Sequence, residues 1–214
     1  MKRSLNYTVR MIRVLGRVSS VNVRKVLWTL GEIGLSYQRE DWGRGYASSS
    51  SPEFLALNPN GQIPVLIDDQ GTLWESNAIC RYLANRHHLQ LLPVDPRKRA
   101  LVEQWMDWQA TDFNYSWRYA FHALSRKSPG YDDPAQIEAS LKAWTDKIAI
   151  LETQLKDVYL TGPDFTLADI VVGLGVNRWV KTPGTKGDFP AVRAYWQRLS
   201  DRPAARAHAG FDHA

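Results

Sequence analysis

Cysteine is nearly absent from this chain: of 214 residues, only Cys80 carries a thiol. A single thiol excludes a disulfide within the chain and a cysteine-built metal centre, and it suits a reducing compartment. Long apolar runs are missing too. No stretch approaches the ~18–20 residues that a membrane-spanning helix needs, so a cytoplasmic protein without a membrane partner is expected. The first ten residues carry Lys2, Arg3 and Arg10 with no apolar stretch behind them, unlike a signal peptide. Residues 1–10 read as a disordered extension or a misassigned start ahead of Met11. There are no internal repeats or low-complexity tracts, and no zinc-finger spacing, basic zipper or RNP-like motif. The net charge of +5 and pI near 9.3 therefore do not point to nucleic acid. A site for an anionic small molecule suits that balance.

What is present is an ordinary globular composition, 44% hydrophobic and 23% charged. A chain of this length can bury roughly 70% of its unfolded surface, enough for a core without staples. Met11 to Leu15 reads as a strand. Val23, Val26, Leu27, Leu30 and Ile33 recur at helical spacing, with Asn22 as the expected N-cap and Gly34 as the stop. Tyr37 to Trp42 reads as a second strand. Ser51-Pro52-Glu53 opens a short helix through Leu57. Two strands, Val65 to Ile67 and Thr72 to Trp74, flank a turn at Asp68 to Gly71, and Ser76 is the expected cap of a helix reaching His87. Leu91 to Pro96 reads as a linker. Beyond it the pattern is helical throughout. Trp105 and Trp108 share a face of a long helix that continues through Phe113, Trp117 and Phe121. Ile137, Leu141, Trp144, Ile148, Leu151 and Leu155 form a stripe, Thr166 to Val180 is apolar nearly all round, and Val192 to Leu199 is amphipathic. The expectation is a mixed α/β domain at 11–90, a linker at 91–96 and an all-helical domain at 97–214.

Three short features in the first domain carry chemistry. The loop Arg17 to Asn22 leads a strand into a helix, whose free amides favour negative charge. In Asn58 to Val65, Pro64 just before a strand leaves the preceding backbone without normal pairing. A cis Ile63-Pro64 bond would let Ile63 pair with a peptide ligand as a further strand does. At Glu75-Ser76-Asn77, Ser76 and the helix amides can hold a carboxylate while Glu75 holds an ammonium, which suits the α-amino acid end of a ligand. Each feature also has a plain reading as capping or punctuation.

Together these segments resemble the cytosolic glutathione transferases. The matching text is Gly16-Arg17 to Trp28, Asn58 to Leu66, Trp74-Glu75-Ser76-Asn77-Ala78-Ile79, and Phe165-Thr166-Leu167-Ala168-Asp169-Ile170 in the helical half. The resemblance implies a thioredoxin-like N-terminal domain followed by an all-α C-terminal domain, usually in a homodimer, with a cis bond before Pro64. It implies glutathione as substrate, with Ile63 pairing with the cysteinyl part, Glu75 and Ser76 holding the γ-glutamyl end, and Gln62 contacting the peptide. Tyrosine-type members carry a Tyr where this chain has Gly16 and Arg17, and cysteine-type members carry a loop Cys that is absent here. The loop is similar to serine-type, theta-like or nu-like bacterial members, with Ser20 and Asn22 in register as catalytic candidates and Ser19 as a rival hydroxyl. No metal is implied.

The implied activity is activation of the glutathione thiol as thiolate for attack on a small hydrophobic electrophile. Alternatives are a glutathione-dependent peroxidase, disulfide reductase or dehalogenase, and a non-catalytic binding or assembly module. Phe113 and Trp117 fall on the helix that borders the electrophile pocket in this family, although core packing is the stronger reading for them. Thr166 and Asp169 resemble a structural capping box. Cys80 reads as core, His87 and His88 as solvated, and Arg17 and Arg24 as surface charges near the anionic site.

Overall fold

The β-branched run after Met11 forms strand β1 (Ile12–Leu15), whose last two residues are buried. The computed structural model describes residues 11–88, 90–184 and 186–211; the extension expected at 1–10 lies outside them. Helix α1 (Val21–Ile33) buries Val23, Val26, Leu27, Trp28 and Leu30. It ends at Gly34, whose φ of 76° is left-handed and whose amide returns to the carbonyls of Leu30 and Gly31. Strand β2 (Tyr37–Glu40) stops short of the expected Trp42, which instead makes an isolated bridge with Ala47. Helix α2 (Pro52–Leu57) starts as the sequence predicts: the Ser51 hydroxyl accepts the Phe54 amide at 3.4 Å, and Pro52 occupies a first-turn position where no donor is needed. Strands β3 (Val65–Asp68) and β4 (Gly71–Trp74) form a hairpin that leads into α3 (Ser76–His87).

The four strands form one sheet in the order β2-β1-β3-β4, with β1 and β2 parallel and the other pairs antiparallel. Register decides what this sheet can do. Leu15 pairs with Glu40 on one side and Val65 on the other, and Val65 pairs with Trp74, so these four residues form one row across the sheet. The loops leaving β1, β2 and β4 and the segment entering β3 therefore all emerge at one end.

The segment expected to be a linker is packed. Leu91 and Leu92 are buried, the Leu91 carbonyl accepts the Leu167 amide at 2.9 Å, and Pro96 already belongs to α4 (Pro96–Trp108) behind an Asp95 cap. The long helix expected next is interrupted by a π-helical turn, Gln109–Phe113, before α5 (Asn114–Leu124). Helix α6 (Pro134–Gln154) buries Trp144, Ile148 and Leu151 from the expected stripe. Helix α7 (Leu167–Lys181) is buried continuously from Leu167 to Trp179. Its capping box is present, and the Asp169 carboxylate also accepts the Leu160 amide and the Tyr195 hydroxyl, each at 2.9 Å. Helix α8 (Pro190–Ser200) follows, and α9 (Pro203–His208), too short to show a periodic pattern, packs on α1. A single apolar cluster runs from Val14 and Leu83 in the α/β half to Trp144 and Val176 in the helical half.

Candidate functional site

The register row brings the three sequence features to the same end of the sheet. Ser20 stands five residues after Leu15 and is the N-cap of α1; its carbonyl accepts the Arg24 amide at 3.0 Å. Asn22, expected as the cap, is an exposed residue inside the first turn. The Ser20 hydroxyl makes no cap hydrogen bond, so it caps by backbone geometry alone and its O–H stays available. The amides of Val21, Asn22 and Val23 have no intrahelical acceptor at this end. Ser19 is exposed, whereas Ser20 is half-buried.

Ile63-Pro64 is a cis peptide bond, as the resemblance implies, and Pro64 is buried immediately before β3. The Ile63 amide and carbonyl have no hydrogen bond among the described residues. The Ile63 side chain packs where only glycine fits: a Cβ on Gly16, at φ 146°, would lie 3.0 Å from the Ile63 Cβ, and one on Gly43, at φ 91°, 3.3 Å from its Cδ1. The exposed Gln62 has its carbonyl pinned by the Asn58 side-chain amide at 2.7 Å.

Glu75, one residue past Trp74, is the N-cap of α3, and Ser76, expected as the cap, is a buried first-turn residue. Glu75 has φ 70° and ψ 109°. This left-handed backbone costs a non-glycine residue about 1–3 kcal/mol and persists where the surroundings or function require it. Its carbonyl accepts the Ile79 amide at 2.9 Å, which leaves the amides of Ser76, Asn77 and Ala78 without intrahelical acceptors beside its exposed carboxylate.

Below this surface lies a polar network that sequence reasoning missed. Lys25 is 3% exposed, and its Nζ donates to the Asn77 Oδ1 at 3.1 Å and the Gln109 Oε1 at 2.7 Å. The Asn77 side-chain amide in turn donates to the Met106 carbonyl at 2.9 Å. One lysine thus ties α1 to the start of α3 and to the π turn. Burial pushes its pKa down to about 8. Cys80 lies nearby in the core; its sulfur accepts the Thr29 hydroxyl at 3.3 Å, and burial raises its pKa to about 11, so it is a poor nucleophile.

Two expectations about side chains change. Phe113 is fully buried, stacked on Trp108 at 4.8 Å and packed against Gly175, so it offers no surface to a substrate; Trp117 is only 8% exposed. Arg24 is buried rather than on the surface, donating to the carbonyls of Val18 and Gly210. A concavity of about 640 Å³, lined by residues including Glu32, Val102, Phe165 and Arg202, lies at the far end of α1 from Ser20. Thirteen helical residues, near 1.5 Å each, separate those two ends. Among the described residues no group of three or more His, Cys, Asp or Glu could hold a metal ion. None of their helices is long and apolar enough to cross a membrane.

Comparison with known proteins decides the family. Residues 11–85 match the glutathione S-transferase N-terminal domain and residues 110–203 the C-terminal domain. The chain is 38% identical over 200 residues to glutathione S-transferase GstB of Escherichia coli, covering 92% of this chain and 96% of that one. It belongs to the glutathione S-transferase family. Glutathione S-transferase 3 of Zea mays is 32% identical over 203 residues, with 90% of each chain covered. The glutathione-bound theta class glutathione S-transferase of Xanthomonas axonopodis pv. citri superposes with a TM-score of 0.89 at 36% identity, over 94% of this chain and 98% of that one. Ser20, Ile63, Glu75 and Ser76 all lie in the N-terminal glutathione S-transferase module.

Proposed function

We propose that this glutathione S-transferase binds glutathione across the row Leu15–Val65–Trp74, with Ser20 as the group that activates its sulfur. The observation that carries this reading is a half-buried hydroxyl at a helix N-terminus with no acceptor of its own, at the sheet end where Ile63 leaves its backbone unpaired. The cysteinyl part pairs with Ile63, the γ-glutamyl ammonium meets Glu75, and its carboxylate meets Ser76 and the free amides of α3. Gln62 contacts the peptide. Asn22 serves through its amide in the first turn of α1. We read the protein as a cytoplasmic homodimer of the kind usual in this family.

The energetics close without further groups. A free thiol with pKa ~8.5 is a few per cent ionised at pH 7. Lowering it by about 2 units requires about 2.7 kcal/mol. A serine hydroxyl donating to a thiolate supplies about 1.5–3 kcal/mol and the helix terminus about 0.3–1 kcal/mol. The thiolate then displaces a leaving group from, or adds to, an electrophilic carbon. Disulfide reduction through a protein thiol fits less well, because Cys80 is buried and its pKa is raised.

The test is retention on immobilised glutathione combined with turnover of chlorodinitrobenzene and of an organic hydroperoxide. Retention with faster chlorodinitrobenzene turnover is expected. Retention with hydroperoxide turnover alone would replace conjugation by peroxide reduction, and no retention would end the glutathione assignment.

A further inference from the structure

Five arginines from both halves of the chain lie close enough for their charges to act on one another or on His122. Arg17 and Arg44 stand on the loops leaving β1 and β2, at the Ser20 end of the sheet. The Arg17 guanidinium presses on Gly43, where a Cβ would meet its Nη1 at 3.0 Å. From the helical half come Arg118 on α5, Arg126 just beyond it, and Arg178 on α7. The Arg178 guanidinium lies 4.2 Å from the Trp117 ring centroid and 4.0 Å from that of Phe121, and Arg126 lies 5.1 Å from the same Phe121 ring. These charges feel one another. Arg17 and Arg44 add to burial in lowering the pKa of Arg126, and Arg126 and Arg24 do the same to Arg178. Burial, and after it Arg126, Arg118, Arg178 and Arg44, lower the pKa of His122.

None of the five arginines has an ion pair among the described residues, whereas Arg13, Arg39, Arg86 and Arg202 each meet a carboxylate. Arg178 is the costliest case: it is 4% exposed, and its Nε is buried with no acceptor. Cation–π contact offsets part of that cost, but a buried charge without an anion remains unfavourable. Glutathione supplies one free carboxylate at its glycyl end once its γ-glutamyl end is held at Glu75 and Ser76. One carboxylate does not neutralise five guanidiniums.

We propose that this arginine cluster forms an anion subsite for the second substrate, which carries a carboxylate held chiefly by Arg126 and Arg178 while its reactive carbon faces the sulfur. The inference rests on the conjugation reading above. It makes the aromatic floor of Trp117 and Phe121 a support for guanidiniums rather than a bare apolar wall. Converging cations also raise the encounter rate with an anion in a salt-dependent way.

The test compares 4-chloro-3,5-dinitrobenzoate with its methyl ester, using the full chain and saturating glutathione. In both reactions the thiol proton passes to solvent, the thiolate forms a C–S bond at the chlorinated carbon, and the C–Cl bond breaks with chloride taking the electron pair. Each kcat/KM is divided by the rate of the uncatalysed reaction. The carboxylate is expected to be favoured by about tenfold or more, the size of one charge-assisted hydrogen bond, with the preference shrinking in added salt. Arg126→Gln and Arg118→Gln, both at exposed positions, should reduce that preference, Arg126→Gln by about tenfold, while the KM for glutathione moves little. No preference in the wild type, or a preference unchanged in both variants, would overturn the subsite. So would a raised KM for glutathione with the preference intact, because the cations would then serve the glycyl carboxylate. Failure to turn over either compound would sink the conjugation reading itself.

Discussion

Lys25→Met removes the charge from the buried network at nearly constant volume, and the structure fixes how its effect depends on pH. In the folded protein the Lys25 pKa is about 8, against an ordinary value of 10.5. The fold therefore disfavours the ammonium by about 3 kcal/mol, at 1.36 kcal/mol per unit. Between these two pH values the unfolded chain holds a proton that the folded chain has released, so Lys25 makes stability rise with pH across that window. Its cost is fully present below about pH 8 and is relieved above 10.5. Cys80 acts in the opposite direction, because its folded pKa is raised to about 11 from 9.0 and stability falls as the unfolded thiol ionises first. The difference between wild type and variant reports the lysine together with its smaller coupling to Cys80, whose pKa the Lys25 charge lowers. In the variant, Asn77 Oδ1 and Gln109 Oε1 lose their donor, at about 1–3 kcal/mol each. Neutral Lys25 still donates to both. Wild type should differ from Lys25→Met by about −1 to +3 kcal/mol at pH 7, and the gap should move by about 3 kcal/mol in favour of wild type on reaching pH 10.5. Urea denaturation of both proteins at intervals from pH 7 to 10.5 reads the gap directly. A gap that stays constant or moves in favour of the variant would refute the reasoning.

Glu75→Gly should weaken glutathione binding about tenfold by calorimetry, through loss of a charged hydrogen bond, while stability stays level or rises by about 1 kcal/mol as the left-handed strain is relieved. A parallel loss of both would assign Glu75 a structural role only. Asp169→Ala strands the buried donors of Leu160, Thr166 and Tyr195 at about 1–3 kcal/mol each, so a fall in the denaturation midpoint too small to register would contradict the network described at the start of α7. Gly175→Ala places a Cβ 2.5 Å from the Phe113 Cε1. It should destabilise by about 1–3 kcal/mol in thermal unfolding, and a neutral result would show that Phe113 can move aside.

Much of this architecture is written locally. Ser51-Pro52-Glu53 marks its helix start because a side-chain cap and a first-turn proline act within four residues. The stripe through Trp144, Ile148 and Leu151 marks α6 because one face must meet the core. The starts of α1 and α3 are shifted for a shared reason. Ser20 and Glu75 cap through backbone angles without a side-chain bond, so Asn22 and Ser76 look like better caps than the residues that occupy the position. The π turn at Gln109–Phe113 has no residue signature, since it answers to packing around Gln109 and Phe113. Lys25 reads as a solvated charge until α3 and the π turn close over it. The five clustered arginines come from three loops or loop-proximal turns and two helices far apart in the chain, so only the folded topology reveals that they converge.

The central claim is that Ser20 lowers the pKa of bound glutathione. The most direct measurement is the ultraviolet thiolate absorbance of glutathione bound to wild type and to Ser20→Ala, titrated against pH. The bound thiol should ionise about 2 units below the free value of ~8.5 in wild type, and at least about 1 unit higher in Ser20→Ala, with glutathione still bound. Identical titrations in the two proteins would contradict the account.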